Sequence, residues 1–188
     1  MLLSERVNES IRSNQEFLTK IIPPINYMIG FDHKNPDYCL DVWEHTIAAI
    51  SKSSRILDVR LTLLLGGISK PFCENGDIRR YPRFSKNSAT MAKPILKKLG
   101  YDDTYINHIY GLIKSQRSEI TNQAIEENYS YCLKLYEIQR CDILVSSEAR
   151  KEKMLAYMNR VTAKLKKQKQ KMYEKELENN RINYSYQW

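Results

Sequence analysis

The apolar residues of this chain recur at helical spacing almost from end to end, and no long alternating run of Val, Ile and Thr predicts a strand. Only six glycines and six prolines interrupt this pattern. The predicted helices cover residues 4–22, 38–50, 57–65, 87–99, 104–116, 122–148 and 149–180. The sequence therefore predicts an all-α helical bundle that ends in a long helix.

The last predicted helix carries an apolar stripe of coiled-coil type, because its apolar positions alternate four and three residues apart. The stripe consists of Met154, Met158, Val161, Leu165, Gln168 and Met172, and we call it the Met154–Met172 stripe. Five lysines lie around the sides and back of this helix: Lys164, Lys166, Lys167, Lys169 and Lys171. One face can therefore pack while the remainder meets solvent or an anionic partner.

The charge of the chain is concentrated at its C-terminal end. Of a net charge of +8 over 188 residues, residues 150–188 carry +7, from 11 Lys or Arg and 4 Asp or Glu. With 42% apolar residues, the rest of the chain can form one hydrophobic core. We therefore expect a helical domain over residues 1–150, followed at 151–188 by a basic amphipathic helix and a Tyr-rich tail that meets an anionic partner.

Several classes of protein are excluded by what the sequence lacks. The N-terminal residues form no signal-peptide core, and no run of 18 apolar residues predicts a membrane span. The four cysteines form no CxxC pair, which is typical of isolated thiols in a reducing compartment. We expect a soluble, cytoplasmic protein without a membrane partner.

Residues 63–71 read LLLGGISKP, and their adjacent glycines end the preceding helix at a cost of about 2 kcal/mol in helix propensity. This segment resembles the L-L-H-D-I-G-K-P segment of HD-domain metal phosphohydrolases, in particular the HD domain of bacterial tRNA nucleotidyltransferases (CCA-adding enzymes). In that family the His-Asp pair holds a divalent metal. Here Gly66 and Gly67 take its place.

Further segments are similar to that domain in the same order along the chain. They include D-V-W-E-H-T at 41–46, R-L-T-L-L at 60–64, L-I-K-S-Q at 112–116 and R-C-D-I-L at 140–144. The resemblance covers about residues 25–155 and implies an HD-like helical bundle. The nucleotidyltransferase head of the complete enzymes has no counterpart, so we do not expect nucleotide addition.

The resemblance assigns a role to each matching position. His45 matches the first metal-binding histidine and Asp142 the last aspartate, whereas Asn87, Gln116 and Tyr38 replace further histidines and Lys70 matches the lysine of the turn. We call the implied vestigial HD site the Gly-Gly pocket: Tyr38, His45, Gly66, Gly67, Lys70, Asn87, Gln116 and Asp142. One imidazole and one carboxylate are too few protein ligands for a hydrolytic metal. We therefore expect no metal, no cofactor and no catalytic residue.

Each remaining polar residue also has a structural interpretation. His45 is typical of a hydrogen-bonded, partly buried histidine, and Asp142 can receive its hydrogen bond. His33 and His108 have no partner at ligand spacing and are predicted at the surface or the edge of the core. Lys70 is expected to be a solvated charge at a helix end, with phosphate contact as the alternative.

The basic residues are the candidates for nucleic-acid binding. Besides the five lysines of the last helix, Arg79, Arg80 and Arg83 form a second basic cluster, and Tyr173, Tyr184, Tyr186 and Trp188 could stack on unpaired bases. A solvated helix end with a frayed tail is the alternative.

The favoured hypothesis is a non-catalytic module that contacts RNA or tRNA through its basic C-terminal helix. One alternative is a protein-interaction or inhibitor module that acts on a nucleic-acid-handling partner, or a homodimer, through the Met154–Met172 stripe. A second alternative is a weak metal-dependent phosphohydrolase that uses His45 and Asp142. A nucleotide held without hydrolysis beside Gly66 and Gly67 is a variant of this last hypothesis.

Overall fold

The computed structural model describes residues 1–73 and 81–185, with side chains described as far as residue 179. Within these residues the chain is all-helical, as the sequence predicts, and contains no strand. The helices are α1 (Val7–Ser13), α2 (Gln15–Ile21), α3 (Ile25–Met28), α4 (Val42–Ser51), α5 (Leu57–Gly66), a short 3-10 helix (Lys70–Phe72), α6 (Phe84–Lys98), α7 (Asp103–Ser115), α8 (Asn122–Glu127), α9 (Tyr129–Leu144) and α10 (Glu148–Ser185).

Helix α5 lies at the centre of the bundle. Every residue from Val59 to Gly66 is buried, and the helix packs against α4, α6, α7 and α9. A helix that is apolar on all sides gains stability only when its whole circumference is covered. This burial carries Gly66 and Gly67 into the interior, close to the inner faces of the neighbouring helices.

Two predicted helices are interrupted at an asparagine, so their predicted continuity is wrong. Asn14 separates α1 from α2 and donates from its side chain to the carbonyl of Ser10 at 2.8 Å. Asn128 separates α8 from α9, and its side chain accepts a hydrogen bond from the backbone N–H of Tyr131 at 3.0 Å. Short amide side chains compete with the helical backbone for hydrogen bonds, which favours a new helix start.

Helix α4 begins later than the sequence pattern predicts. Asp41 caps it by accepting a hydrogen bond from the N–H of Glu44 at 2.8 Å, so the first helical residue is Val42. Tyr38 therefore lies in the preceding turn, where its ring is free to pack on other side chains.

Helix α10 has 38 residues and a length of about 57 Å. Val161 and Leu165 are buried against Ile125, Cys132 and Leu135 in a second hydrophobic cluster. The Met154–Met172 stripe thus packs on the chain's own α8 and α9 as far as Leu165. Apolar side chains left for a protein partner on the distal part of this helix are Met172, Tyr173 and Leu177, which are exposed.

None of the helices in the described part of the chain combines the length and the apolarity that a bilayer crossing requires.

Candidate nucleic-acid interface and the Gly-Gly pocket

Six of the eight residues of the Gly-Gly pocket meet around one cavity of about 30 Å³, which has room for roughly one water molecule. They are His45, Gly66, Gly67, Lys70, Gln116 and Asp142. Tyr38 lies beside them, with its ring centroid 5.1 Å from that of His45. Asn87 is not among the residues that line this cavity, and its side chain donates to Cys73 Sγ at 3.0 Å.

Gln116 fills the space that a side chain on Gly66 would take. A Cβ built on Gly66 would lie 2.6 Å from Gln116 Oε1, and Gln116 Nε2 donates to the Gly66 carbonyl at 3.0 Å. Lys70 approaches the neighbouring glycine, with its Cδ 3.9 Å from a Cβ built on Gly67. These two side chains leave too little volume for a nucleotide beside the glycines.

The Asp142 carboxylate contacts two side chains, those of His45 and Arg150. His45 Nε2 lies 2.8 Å from Asp142 Oδ1, which confirms the predicted hydrogen bond, and Arg150 Nη2 donates to Asp142 Oδ2 at 2.5 Å. Burial raises the pKa of Asp142, but the hydrogen bond with His45 and the charge of Arg150 outweigh it and hold that pKa well below its usual value. Burial lowers the pKa of His45. The pair is therefore a carboxylate and a neutral imidazole.

Lys70 is buried with only 5% of its surface exposed, so the prediction of a solvated helix-end charge is wrong. Its ammonium group lies 4.6 Å from the ring centroid of Tyr38 and 5.1 Å from that of Phe84. Burial lowers the pKa of Lys70 to about 7, although the nearby Asp142 carboxylate opposes the shift. Contact with aromatic faces compensates part of the lost hydration of this amine.

His33 is also buried, so the prediction that it lies at the surface or the edge of the core is wrong. Its ring stacks on Tyr38 at a centroid distance of 3.8 Å, and both ring nitrogens lack a hydrogen-bond partner among the described residues. Burial lowers the pKa of His33 to about 2, and the charge of Lys70 adds to this effect. His108 lies at the edge of the core, as predicted, with Nε2 3.0 Å from Asp58 Oδ2.

Among the described residues, no group of three or more His, Cys, Asp or Glu side chains is arranged to hold a metal ion. Both carboxylate oxygens of Asp142 are already engaged, by His45 and by Arg150. The described side chains thus form an internally paired polar cluster that leaves His45 Nδ1 without a partner.

A larger cavity of about 460 Å³ lies next to this cluster, where α7 ends against α9 and α10. Gln116, Arg117 and Asp142 line both cavities. Helix α10 contributes much of the wall of this cavity, through Arg150, Lys153, Met154, Tyr157 and Arg160. The sequence did not predict this cavity, because the residues that line it come from four separate segments.

Helix α10 carries five cations along one line, which we call the basic stripe: Lys153, Arg160, Lys164, Lys167 and Lys171. Their spacing places all five within about 40° of a common line on the helix surface. Lys153 and Arg160 line the large cavity, and Lys164, Lys167 and Lys171 line a groove of about 300 Å³ between α8 and α10. The basic stripe therefore connects two surface depressions.

Only three of the five lysines that were proposed together from the sequence for nucleic-acid binding belong to the basic stripe. Lys166 and Lys169 are exposed but lie on the other flank of α10, away from both depressions. Lys153 and Arg160 belong to the stripe and were missed, although their spacing of seven residues was visible in the sequence. Arg83 is exposed just before α6, whereas Arg79, Arg80, Tyr186 and Trp188 lie outside the described residues and Tyr184 outside the described side chains.

No protein-family model matches this chain, and no curated protein is significantly similar to it.

Proposed function

We propose that this chain is a non-catalytic RNA-binding module that lays an RNA backbone along the basic stripe of α10. The module is proposed to be a helical bundle of HD type whose metal site has been lost. The resemblance of residues 25–155 to the HD domain of tRNA nucleotidyltransferases favours RNA over other polyanions. The single observation that carries the proposal is the alignment of five cations on one side of one helix.

The geometry of α10 supports this proposal because the helix presents its cations from a fixed position. Val161 and Leu165 anchor it to α8 and α9, about a quarter to a third of a turn from the basic stripe. Lys167 and Lys171 are exposed, and Lys171 Nζ lies 3.7 Å from the Glu126 carboxylate. Cations that are already held on a rigid element lose less entropy when they bind phosphate groups.

The side-chain contacts within the Gly-Gly pocket support the proposal that the module is non-catalytic. Gln116 and Lys70 occupy the space beside the glycines, and the Asp142 carboxylate is paired with Arg150. A hydrolytic site needs an open metal position and an ordered water or hydroxide. The cavity of about 30 Å³ that these side chains line has room for about one water molecule, but not for a metal ion together with its water.

The proposal is tested by fluorescence anisotropy with labelled tRNA and with a labelled single-stranded RNA at 50 mM and 200 mM salt. If the five cations of the basic stripe each contact one phosphate, the affinity for the single-stranded RNA falls about a hundredfold between these salt concentrations. The same titrations are repeated with two double variants: Lys167→Gln with Lys171→Gln, and the matched control Lys166→Gln with Lys169→Gln. Failure to bind either RNA at 50 mM salt, or equal weakening in both double variants, contradicts the proposal.

A further inference from the structure

The cavity between α7, α9 and α10 has the size and lining of a ligand site. Its volume of about 460 Å³ lies within the range of small-molecule sites. Ile143 and Met154 form apolar parts of the wall. The Ser118 hydroxyl can donate or accept a hydrogen bond, and the Glu119 carboxylate can accept one. A ligand with both an apolar ring and polar edges matches this lining.

Tyr157 gives the cavity a fixed aromatic surface. Its hydroxyl donates to Gln139 Oε1 at 2.8 Å and accepts from the backbone N–H of Ile120 at 3.2 Å. Gln139 is held in turn, because its Nε2 donates to the carbonyl of Ser118 at 2.8 Å. A ring restrained at its hydroxyl end loses little conformational entropy when a second ring stacks on it.

The rim of the cavity carries cations that reach solvent. Arg117, Lys153 and Arg160 are exposed at the rim, whereas Arg150 is buried and bound to Asp142. The nearest carboxylate of Lys153 is that of Asp37, at 3.8 Å. An ion pair of this length between exposed side chains is weak, so Lys153 can exchange it for a phosphate at small cost.

We propose that this cavity holds a nucleoside phosphate, with its base against Tyr157 and its phosphate against Arg160. The inference rests on the proposed function, because Arg160 belongs both to the cavity and to the basic stripe. An RNA backbone on the stripe would therefore deliver one unpaired nucleotide into the cavity. A free nucleotide has the same chemistry and is the other source of such a ligand.

The experiment compares the two sources on the intact protein. Isothermal titration with adenosine and cytidine monophosphates, the free nucleosides and inorganic phosphate tests the cavity, and anisotropy with a single-stranded RNA tests delivery by the stripe. The variants are Arg160→Gln, Tyr157→Leu and Tyr157→Phe, with Lys166→Gln as the control. Arg160→Gln is at an exposed position, so its effect on the binding of the free monophosphates carries the test if Tyr157→Leu does not fold.

We expect the monophosphates to bind more tightly than either the nucleosides or phosphate alone. Arg160→Gln weakens nucleotide and RNA binding by about tenfold, which corresponds to about 1.4 kcal/mol. Tyr157→Leu weakens both by about fivefold or more, because base stacking is lost. Tyr157→Phe keeps the ring and stays within about threefold of the wild type.

Each other outcome has a definite meaning. RNA binding that is lost in the Lys167 and Lys171 double variant but is unchanged by Tyr157→Leu, together with no binding of the monophosphates, overturns the cavity site and leaves the proposed function standing. Nucleotide binding without RNA binding supports the cavity site and overturns RNA as its source. No binding of either ligand overturns both.

Discussion

Gln116 lies where a side chain on Gly66 would point. Its Oε1 is 2.6 Å from the position of a Cβ on Gly66, and its Nε2 donates to the Gly66 carbonyl at 3.0 Å. The glycine and the glutamine are therefore a matched pair, since the absent side chain at one position makes room for the side chain at the other. The space beside the glycines is filled from within the chain.

This pairing predicts that the effect of Gly66→Ala on stability depends on Gln116. In the wild type, alanine gains about 1 kcal/mol of helix propensity but displaces Gln116 and loses a hydrogen bond worth about 1 kcal/mol, so the net change is small. In a Gln116→Ala background the alanine displaces nothing and stabilises the fold by about 1 kcal/mol. Urea unfolding of the two single variants and the double variant measures the coupling.

Gly67→Ala is the matched control for that cycle. The atoms nearest to a Cβ on Gly67 belong to Val42, Met28 and Lys70, at 3.6 Å, 3.8 Å and 3.9 Å. Its effect on the free energy of unfolding should therefore be the same with and without Gln116, within about 0.5 kcal/mol. Additive effects at Gly66 as well would show that Gln116 does not occupy the space beside Gly66.

The buried amine of Lys70 makes the stability of the fold depend on pH above neutrality. The pKa of Lys70 is lowered by burial from 10.5 to about 7, so between these values the unfolded chain binds a proton that the folded chain does not. The free energy of unfolding therefore rises with pH from about 7 to 9, by up to about 1.4 kcal/mol per pH unit. In Lys70→Met this rise disappears, and the variant is more stable than the wild type at pH 7.

Urea unfolding of Lys70→Met at pH 7, 8 and 9 checks this prediction. Lys98 is an exposed lysine at the end of α6, and Lys98→Met serves as the control that should keep the wild-type pH dependence. Parallel curves for the wild type and Lys70→Met would contradict a buried neutral amine at Lys70.

Divalent metal ions should have no effect on the stability of the protein. The described residues offer no group of three ligating side chains, and the Asp142 carboxylate is engaged by His45 and Arg150. An ion that bound the folded state would raise the melting temperature by mass action. We expect the melting temperature to stay the same in EDTA and in millimolar Mg²⁺ or Mn²⁺, as followed by thermal-shift measurement.

Stoichiometric metal in the purified protein would contradict this expectation. So would a rise of several degrees with Mn²⁺ that is abolished by His45→Ala. Either result would revive the hydrolase alternative, because His45 and Asp142 are the ligand positions that the resemblance retains.

The sequence predicted those features that depend on local periodicity. The bounds of α5, α6 and α7 were predicted to within three residues, because each helix has a strong apolar pattern and a polar boundary. The hydrogen bond between His45 and Asp142 was predicted as the structural alternative to a metal-ligand role for these residues, and the structure contains it. The helix bounds required only the residue pattern within one segment, and the contact of His45 with Asp142 required a pairing of only two segments.

The features that the sequence did not predict arise from tertiary packing. Lys70 and His33 have ordinary polar side chains, and their burial follows from the aromatic rings of Tyr38 and Phe84 that the fold brings around them. Arg150 was counted with the positive charge of the C-terminal end, yet it reaches back to the Asp142 carboxylate. Nothing in local spacing distinguishes such a residue from a solvated arginine.

The most direct test of the central claim is the dependence of RNA affinity on salt concentration. A single-stranded RNA on five cations of the basic stripe gives a slope of log K against log salt of about −3.5. Removing Lys167 and Lys171 reduces the slope to about −2.1, whereas removing Lys166 and Lys169 from the other flank leaves it unchanged. An equal reduction in both double variants, or no slope at all in the wild type, would contradict RNA binding along this side of α10.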